Sequence, residues 1–142
     1  MKASYKFRKS ERLCSRKEIQ RLFEEGYSFY LYPFRVQWAF SEPPETIPAK
    51  IVVSVPKRQF KKAVTRNLIR RRIKEAYRLN KEGFLNTLKE SEKEVAFVVV
   101  YTGKDIPSYT LINQKIIQLF QRFLKHIVKI NEVSQNHSQI SQ

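Results

Sequence analysis

The sequence predicts a single domain of the α+β class, and three observations carry that prediction. Residues 34–40, FRVQWAF, alternate apolar and polar side chains with the period of a half-buried strand. Residues 94–101, EVAFVVVY, form a dense β-branched run of the kind found in a central strand covered on both faces. From Tyr109 onward, Tyr109, Ile112, Ile116, Leu119, Phe120, Phe123 and Ile127 fall within an arc of about 100° on a helix. With 142 residues, 42% of them hydrophobic, the chain is long and apolar enough to bury a core.

Element by element, residues 1–14 read as an extended arm. Ser15 and Glu18 fit the S-x-x-E capping box, which satisfies free N–H groups at a helix start. The helix that follows carries Ile19, Leu22 and Phe23 at helical spacing and stops near Gly26. Pro33 marks a boundary or edge, because it has no N–H to donate to a ladder. After a loop at 41–48, residues 50–55 (KIVVSV) read as a second main strand. A helix then covers about 63–80, with a continuation toward Glu90. Gly103 to Pro107 form a loop, and Ser108 caps the last helix. The domain is expected to span 1–130, with 131–142 a polar, frayed tail.

Charge is the strongest functional signal. Lys and Arg number 28 against 13 Asp and Glu, a formal net charge of +15. Such an excess self-repels and steers polyanions inward; nucleic acid is the leading partner and an anionic membrane surface the second. Residues 57–82 hold eleven of the cations and two acids, Glu75 and Glu82. No apolar run approaches the roughly 20 residues that span a bilayer, and no apolar segment follows the basic N-terminus as in a signal peptide. A soluble, cytoplasmic protein without an obligate protein partner is expected.

Residues 65–78, TRNLIRRRIKEAYR, resolve by angle. Stepping about 100° per residue from Val64, Ile69, Ala76, Ile73 and Tyr77 span roughly 120–220°, a packed face. Asn67, Arg70, Arg71, Lys74 and Arg78 span roughly 240–340°, a continuous basic stripe. Glu75 is placed to pair with Arg71 or Arg72, and the other cations lack acids at i,i+4. An anion-binding face accounts for that arrangement better than a solvated one, since repulsion among these side chains has no local offset. Arginine's fork also matches phosphate bidentately. Asn67 either offers directional donors to a sugar or base edge or makes a local backbone bond.

Protein-based catalysis finds little support. His126 and His137 have no carboxylate partner in sequence, and Cys14 has no base. Glycine occurs only three times, so there is no Gly-rich phosphate loop, and no metal-ligand spacing appears. Phe34, Trp38 and Phe40 are assigned to the core. Arg35 and Gln37, on the opposite strand face, form a surface able to lie beneath single-stranded nucleic acid, with Phe23 or Tyr30 for stacking if exposed.

Residues 54–78, SVPKRQFKKAVTRNLIRRRIKEAYR, resemble the signature region of the protein subunit of bacterial ribonuclease P. Ser54-Val55-Pro56-Lys57 and Ala63-Val64-Thr65-Arg66-Asn67 match its Ser-Val-x-Lys and Ala-Val-x-Arg-Asn, and Arg70, Arg71 and Lys74 continue its basic spacing. FRKSERLCSRKEIQRLFEEG is similar to the family's N-terminal Arg-Leu, first helix and closing Gly. Leu68 departs from the pattern, standing where the family has the second Arg of Arg-Asn-Arg; it lies off the stripe and beside Arg72.

The resemblance implies a two-layer α/β sandwich. A four-stranded mixed sheet would pack with three helices in the order α-β-β-β-α-β-α, with a left-handed βαβ crossover as in a ribosomal protein domain. It implies that Arg66, Asn67, Arg70, Arg71, Lys74 and Arg78 meet the catalytic RNA subunit. A separate cleft, with Ile19, Phe23, Arg35, Gln37, Lys57 and Arg58, would hold the single-stranded 5′ leader of precursor tRNA. Mg2+, held mainly by RNA, would support the hydrolysis that leaves a mature 5′ end. A ribosomal or other structural RNA-binding protein is the alternative. A helix-turn-helix reader of DNA ranks low, because a strand precedes the basic helix.

Overall fold

The computed structural model describes residues 9–13, 15–41 and 47–140, with Lys9 and residues 134–140 in backbone alone. After a short 3-10 turn at Lys9–Glu11, the elements are α1 (Arg16–Glu25), β1 (Tyr27–Leu31), β2 (Phe34–Phe40), β3 (Ala49–Ser54), α2 (Ala63–Glu90), β4 (Val95–Tyr101) and α3 (Tyr109–Ile140). The expected order of helices and strands is met, and the basic helix runs the full length toward Glu90. The sheet order is β1-β2-β4-β3, with β1/β2 and β2/β4 antiparallel and β3/β4 parallel across α2.

Helix boundaries follow local chemistry. Ser15 Oγ accepts the Glu18 N–H at 3.3 Å, and Ser108 Oγ accepts that of Leu111 at 3.2 Å. Gly26 stands where α1 ends, and only a residue without a Cβ fits there, because a Cβ would collide with the Leu22 carbonyl and lie 2.8 Å from that of Trp38. Pro33 sits in the tight turn between β1 and β2, after a cis peptide bond. Helix α3 passes residue 131, where a polar tail was expected, and continues through Ile140. No Gly or Pro follows Pro107 to break it, and Lys93 Nζ holds Asn131 Oδ1 at 3.2 Å.

Strand alternation divides the sheet's two faces. Phe29, Phe34, Val36, Trp38, Ile51, Val53, Phe97 and Val99 face α2 and α3, where they bury Ile69, Ile73, Ala76, Tyr77, Ile112, Ile116, Leu119 and Phe123. Both helical stripes expected from the sequence are therefore core, although Tyr109 packs only at its margin. Ala96, Val98 and Val100 point the other way, onto α1 and Leu13, with Leu22 fully buried among them. Because β4 is covered on both sides, every one of its residues is buried.

The arm's last described residues are tied down. Arg12 bridges Ile51 in parallel fashion, and the Leu13 N–H donates to the Ile51 carbonyl at 2.9 Å. Glu11 is bound to Lys81 of α2, Oε1 to Nζ 2.7 Å, with both residues buried. Residues 1–8, 14, 42–46, 141 and 142 lie outside the described residues, and with them Cys14 and the start of the arm.

His126 takes a packing role. Trp38 Nε1 donates to His126 Nδ1 at 2.9 Å, and the imidazole stands edge-on to Phe29 and Trp38. Burial, then the charges of Lys129 and Arg122, hold its pKa below the ordinary value. Nδ1 accepts only while unprotonated. The bond's contribution is therefore complete above the unfolded pKa of about 6.5 and is lost as pH falls through the lower folded value. Thermal melts from pH 7.5 to 5 should show a loss of up to about 1 kcal/mol that His126→Leu lacks. Equal pH profiles for both proteins would exclude the assignment.

Candidate nucleic-acid interface

Helix α2 presents its basic stripe beside the sheet edge formed by β3. Asn67, Arg70, Arg71, Lys74, Glu75 and Arg78 line a concavity of about 380 Å3 together with Arg12. The arm thus adds a cation that the helical wheel does not contain. It is supplied through Glu11 and Leu13, which fix the residues on either side of Arg12. The sequence signal was available only in part: the Arg-Leu pair could be seen, its placement beside the helix could not.

Several stripe residues have more specific duties than charge alone. Arg70 Nη1 donates to Asn67 Oδ1 at 2.8 Å, so Asn67 orients an arginine and keeps its own amide N–H groups for another partner. Its alternative role, a local backbone bond, is not what is seen. Arg66 Nη1 donates to the carbonyls of Phe60 and Lys61, both at 2.8 Å, fastening the loop before α2 to the helix. Arg78 rather than Arg71 or Arg72 pairs with Glu75, at 2.5 and 3.2 Å. That pairing holds the Glu75 carboxyl below its usual pKa range. Arg72 donates to the Pro107 carbonyl at 2.6 Å and braces the loop before α3; it does not stand in for a cation at Leu68.

The stripe is electrostatically strained in the free protein. Lys74 has a lowered pKa, first from burial and then from Arg12 and Arg70. Helix α2 also starts with no acid in its first turn and no side-chain cap, just after Lys61 and Lys62. Cations near a helix N-terminus are unfavourable. Arginine and lysine offer no ligand to a hard divalent cation, and the two oxygen-bearing side chains here, Asn67 and Glu75, accept from Arg70 and Arg78, so this concavity does not fit Mg2+.

The opposite face carries a second arrangement. The register aligns Tyr30, Arg35, Val100 and Ser54 in one row across the sheet, and Ser28, Gln37, Val98 and Val52 in the next. Helix α1 covers part of this face through Leu22 and half-buried Ile19, and leaves Phe23 44% exposed. Arg35 is exposed and Gln37 half-buried, so both remain accessible at the margin of the apolar layer that α1 buries. Lys57 and Arg58 lie exposed in the loop after β3, at the end of the sheet where Arg35 and Ser54 align. The six residues assigned to a cleft therefore belong to one side of the sheet and its adjoining loop, apart from the α2 concavity.

A family model for ribonuclease P matches residues 7–124. The chain belongs to the ribonuclease P protein family. The ribonuclease P protein component of Porphyromonas gingivalis is 36% identical over 114 residues, covering 79% of this chain and 82% of that one. That of Chlorobium phaeobacteroides is 30% identical over 138 residues, covering 89% and 90%. Among solved structures, the RNase P protein of Thermotoga maritima aligns with a TM-score of 0.63 at 24% identity, covering 79% of this chain and 96% of that one. The Staphylococcus aureus RNase P protein gives 0.61 at 22% identity, covering 88% and 98%. These two establish the fold. Ribonuclease P proteins are subunits of a ribonucleoprotein endoribonuclease of tRNA 5′ processing, and their partner is its RNA subunit. Among the described residues no helix is long and apolar enough to cross a membrane.

Proposed function

We propose that the α2 concavity, with Arg12, Asn67, Arg70, Arg71 and Lys74, binds phosphates of the catalytic RNA, while the α1 side of the sheet receives the 5′ leader of precursor tRNA. The observation that carries this reading is the separation of the two surfaces. One is concave and lined by five cations against a single acid; the other sets the exposed Phe23 of α1 beside Arg35, Gln37 and the loop cations Lys57 and Arg58. A concave backbone-reading surface suits structured RNA, whereas an exposed aromatic among scattered cations suits unpaired bases. Arg66 supports the first surface by holding its loop, and Arg78 is held by Glu75. Mg2+ would be held by RNA, and the protein's charge would lower the repulsion between two RNAs in the cytoplasm.

Reconstitution with the cognate catalytic RNA at low Mg2+ tests the proposal. The protein is expected to accelerate cleavage of a precursor with a full leader, and to lose most of that advantage when the leader is trimmed to one nucleotide. Acceleration independent of leader length would remove the cleft assignment. No acceleration over RNA alone would point to a structural RNA-binding role instead.

A further inference from the structure

A second basic groove lies on α3, at the other edge of the sheet. Leu31 of β1 and Gln118, Gln121, Arg122, Lys125, His126 and Lys129 of α3 line a cavity of about 430 Å3. None of its lining residues is acidic, and the chain carries no Asp or Glu between Asp105 and Glu132. Arg122, Lys125 and Lys129 are exposed. Arg122 and Lys129 stand at i−4 and i+3 from His126, neighbours on the same face of α3. Three cations thus line one concavity that has no acid among its lining residues, and two glutamine amides border it.

Topology sets this groove apart from the α2 concavity. Strands β1 and β3 are the two edges of the sheet, three strand spacings apart. At about 4.8 Å per spacing that is roughly 14 Å of sheet, beyond a Debye length of about 8 Å at physiological salt. Each groove therefore attracts anions on its own account. Fork-shaped arginine, lysines and amide donors in an open concavity fit the phosphodiester backbone of RNA.

We infer that the α3 groove, through Arg122, Lys125 and Lys129, is a further RNA-phosphate site, so that the protein joins RNA segments at both edges of its sheet. This inference rests on the reading of the protein as an RNA-binding subunit. The ligand chemistry is RNA phosphate, whether from the catalytic RNA or from the body of the precursor tRNA.

The test uses the full chain carrying Arg122→Ala, Lys125→Ala and Lys129→Ala, with a thermal melt confirming the fold. Binding to the catalytic RNA is titrated across salt, and binding of precursor tRNA by the preformed complex is titrated in parallel. In one of the two arms, affinity is expected to fall at least tenfold. The slope of log affinity against log salt should flatten there by about 2 to 3, near 0.7–0.9 per phosphate contact. The arm affected identifies which RNA supplies the phosphates. Unchanged affinity and slope in both arms overturn the inference, and leave the groove solvated or open to another kind of partner. Arg70→Ala with Arg71→Ala serves as the reference. If that variant flattens the slope and the α3 variant does not, only the α3 site falls. If neither has an effect, the reading of the α2 concavity falls too.

Discussion

Replacing Lys81 by methionine is expected to destabilise the protein by about 3–5 kcal/mol in denaturant unfolding. Lys81 is 3% exposed and Glu11 9% exposed, with 2.7 Å between Nζ and Oε1. The Tyr77 hydroxyl is close enough for the Glu11 carboxylate to add to the upward shift that burial imposes on its pKa. Removal of the ammonium leaves a carboxylate in a nearly dry site, where its desolvation has lost its main compensation. The chain has one escape, which is to release the arm into water. That release would expose Leu13 and give up its bond to Ile51. Local opening thus limits the loss, and it also withdraws Arg12 from the α2 concavity. A second readout follows: RNA affinity should fall and its salt slope flatten by about one contact. Glu11→Leu combined with Lys81→Met should recover most of the stability, because an apolar pair of similar volume carries no desolvation cost. A single variant that loses less than about 1 kcal/mol would show that the ion pair does not hold the arm.

That latch marks the limit of what periodicity reveals. The 3.6-residue pattern separated Ile69, Ile73, Ala76 and Tyr77 from the basic stripe, and these four are buried to within 1% exposure. The two-residue pattern identified the inward face of β2, and the unbroken β-branched run identified β4 as the covered centre of the sheet. Contacts between distant parts of the chain carry no such period. Glu11 and Lys81 are 70 residues apart, Arg72 and Pro107 are 35 apart, and Trp38 and His126 are 88 apart. Each joins a side chain to a partner that only the tertiary fold brings near. Spacing does not identify the partner of Glu75, for a local reason. Arg78 at i+3 and the arginines at i−3 and i−4 are all within reach on a helix, and spacing alone does not choose between them. Arg72 is committed to the Pro107 carbonyl, which leaves Glu75 to the other side. The α3 groove is not legible in the sequence because Arg122, Lys125 and Lys129 are spread over two turns. They form no run in sequence, and only the edge of β1 beneath them makes a concavity.

Alanine at Arg70, Arg71 and Lys74 together is expected to move stability and RNA affinity in opposite directions. In the free protein like charges crowd this helix face, where burial first, and then Arg12 and Arg70, lower the pKa of Lys74. Their removal should leave the melting temperature unchanged or slightly higher, since none of the three is a buried side chain. Affinity for the catalytic RNA should instead fall by about a hundredfold or more, from the loss of several charge-assisted bonds worth about 1.5–3 kcal/mol each in isolation. The salt slope should flatten by about 2 to 3. A solvated face would predict the gain in stability without the loss in affinity, so the pair of measurements separates the two readings. Glu75→Gln provides the converse. Neutralising the single acid that lines the concavity releases Arg78 from its ion pair. RNA affinity should then rise and the slope steepen by about one contact, whereas Arg78→Ala leaves an unopposed Glu75 carboxylate and should weaken binding. If Glu75→Gln and Arg78→Ala shift affinity in the same direction, the α2 concavity does not read phosphate through its net charge.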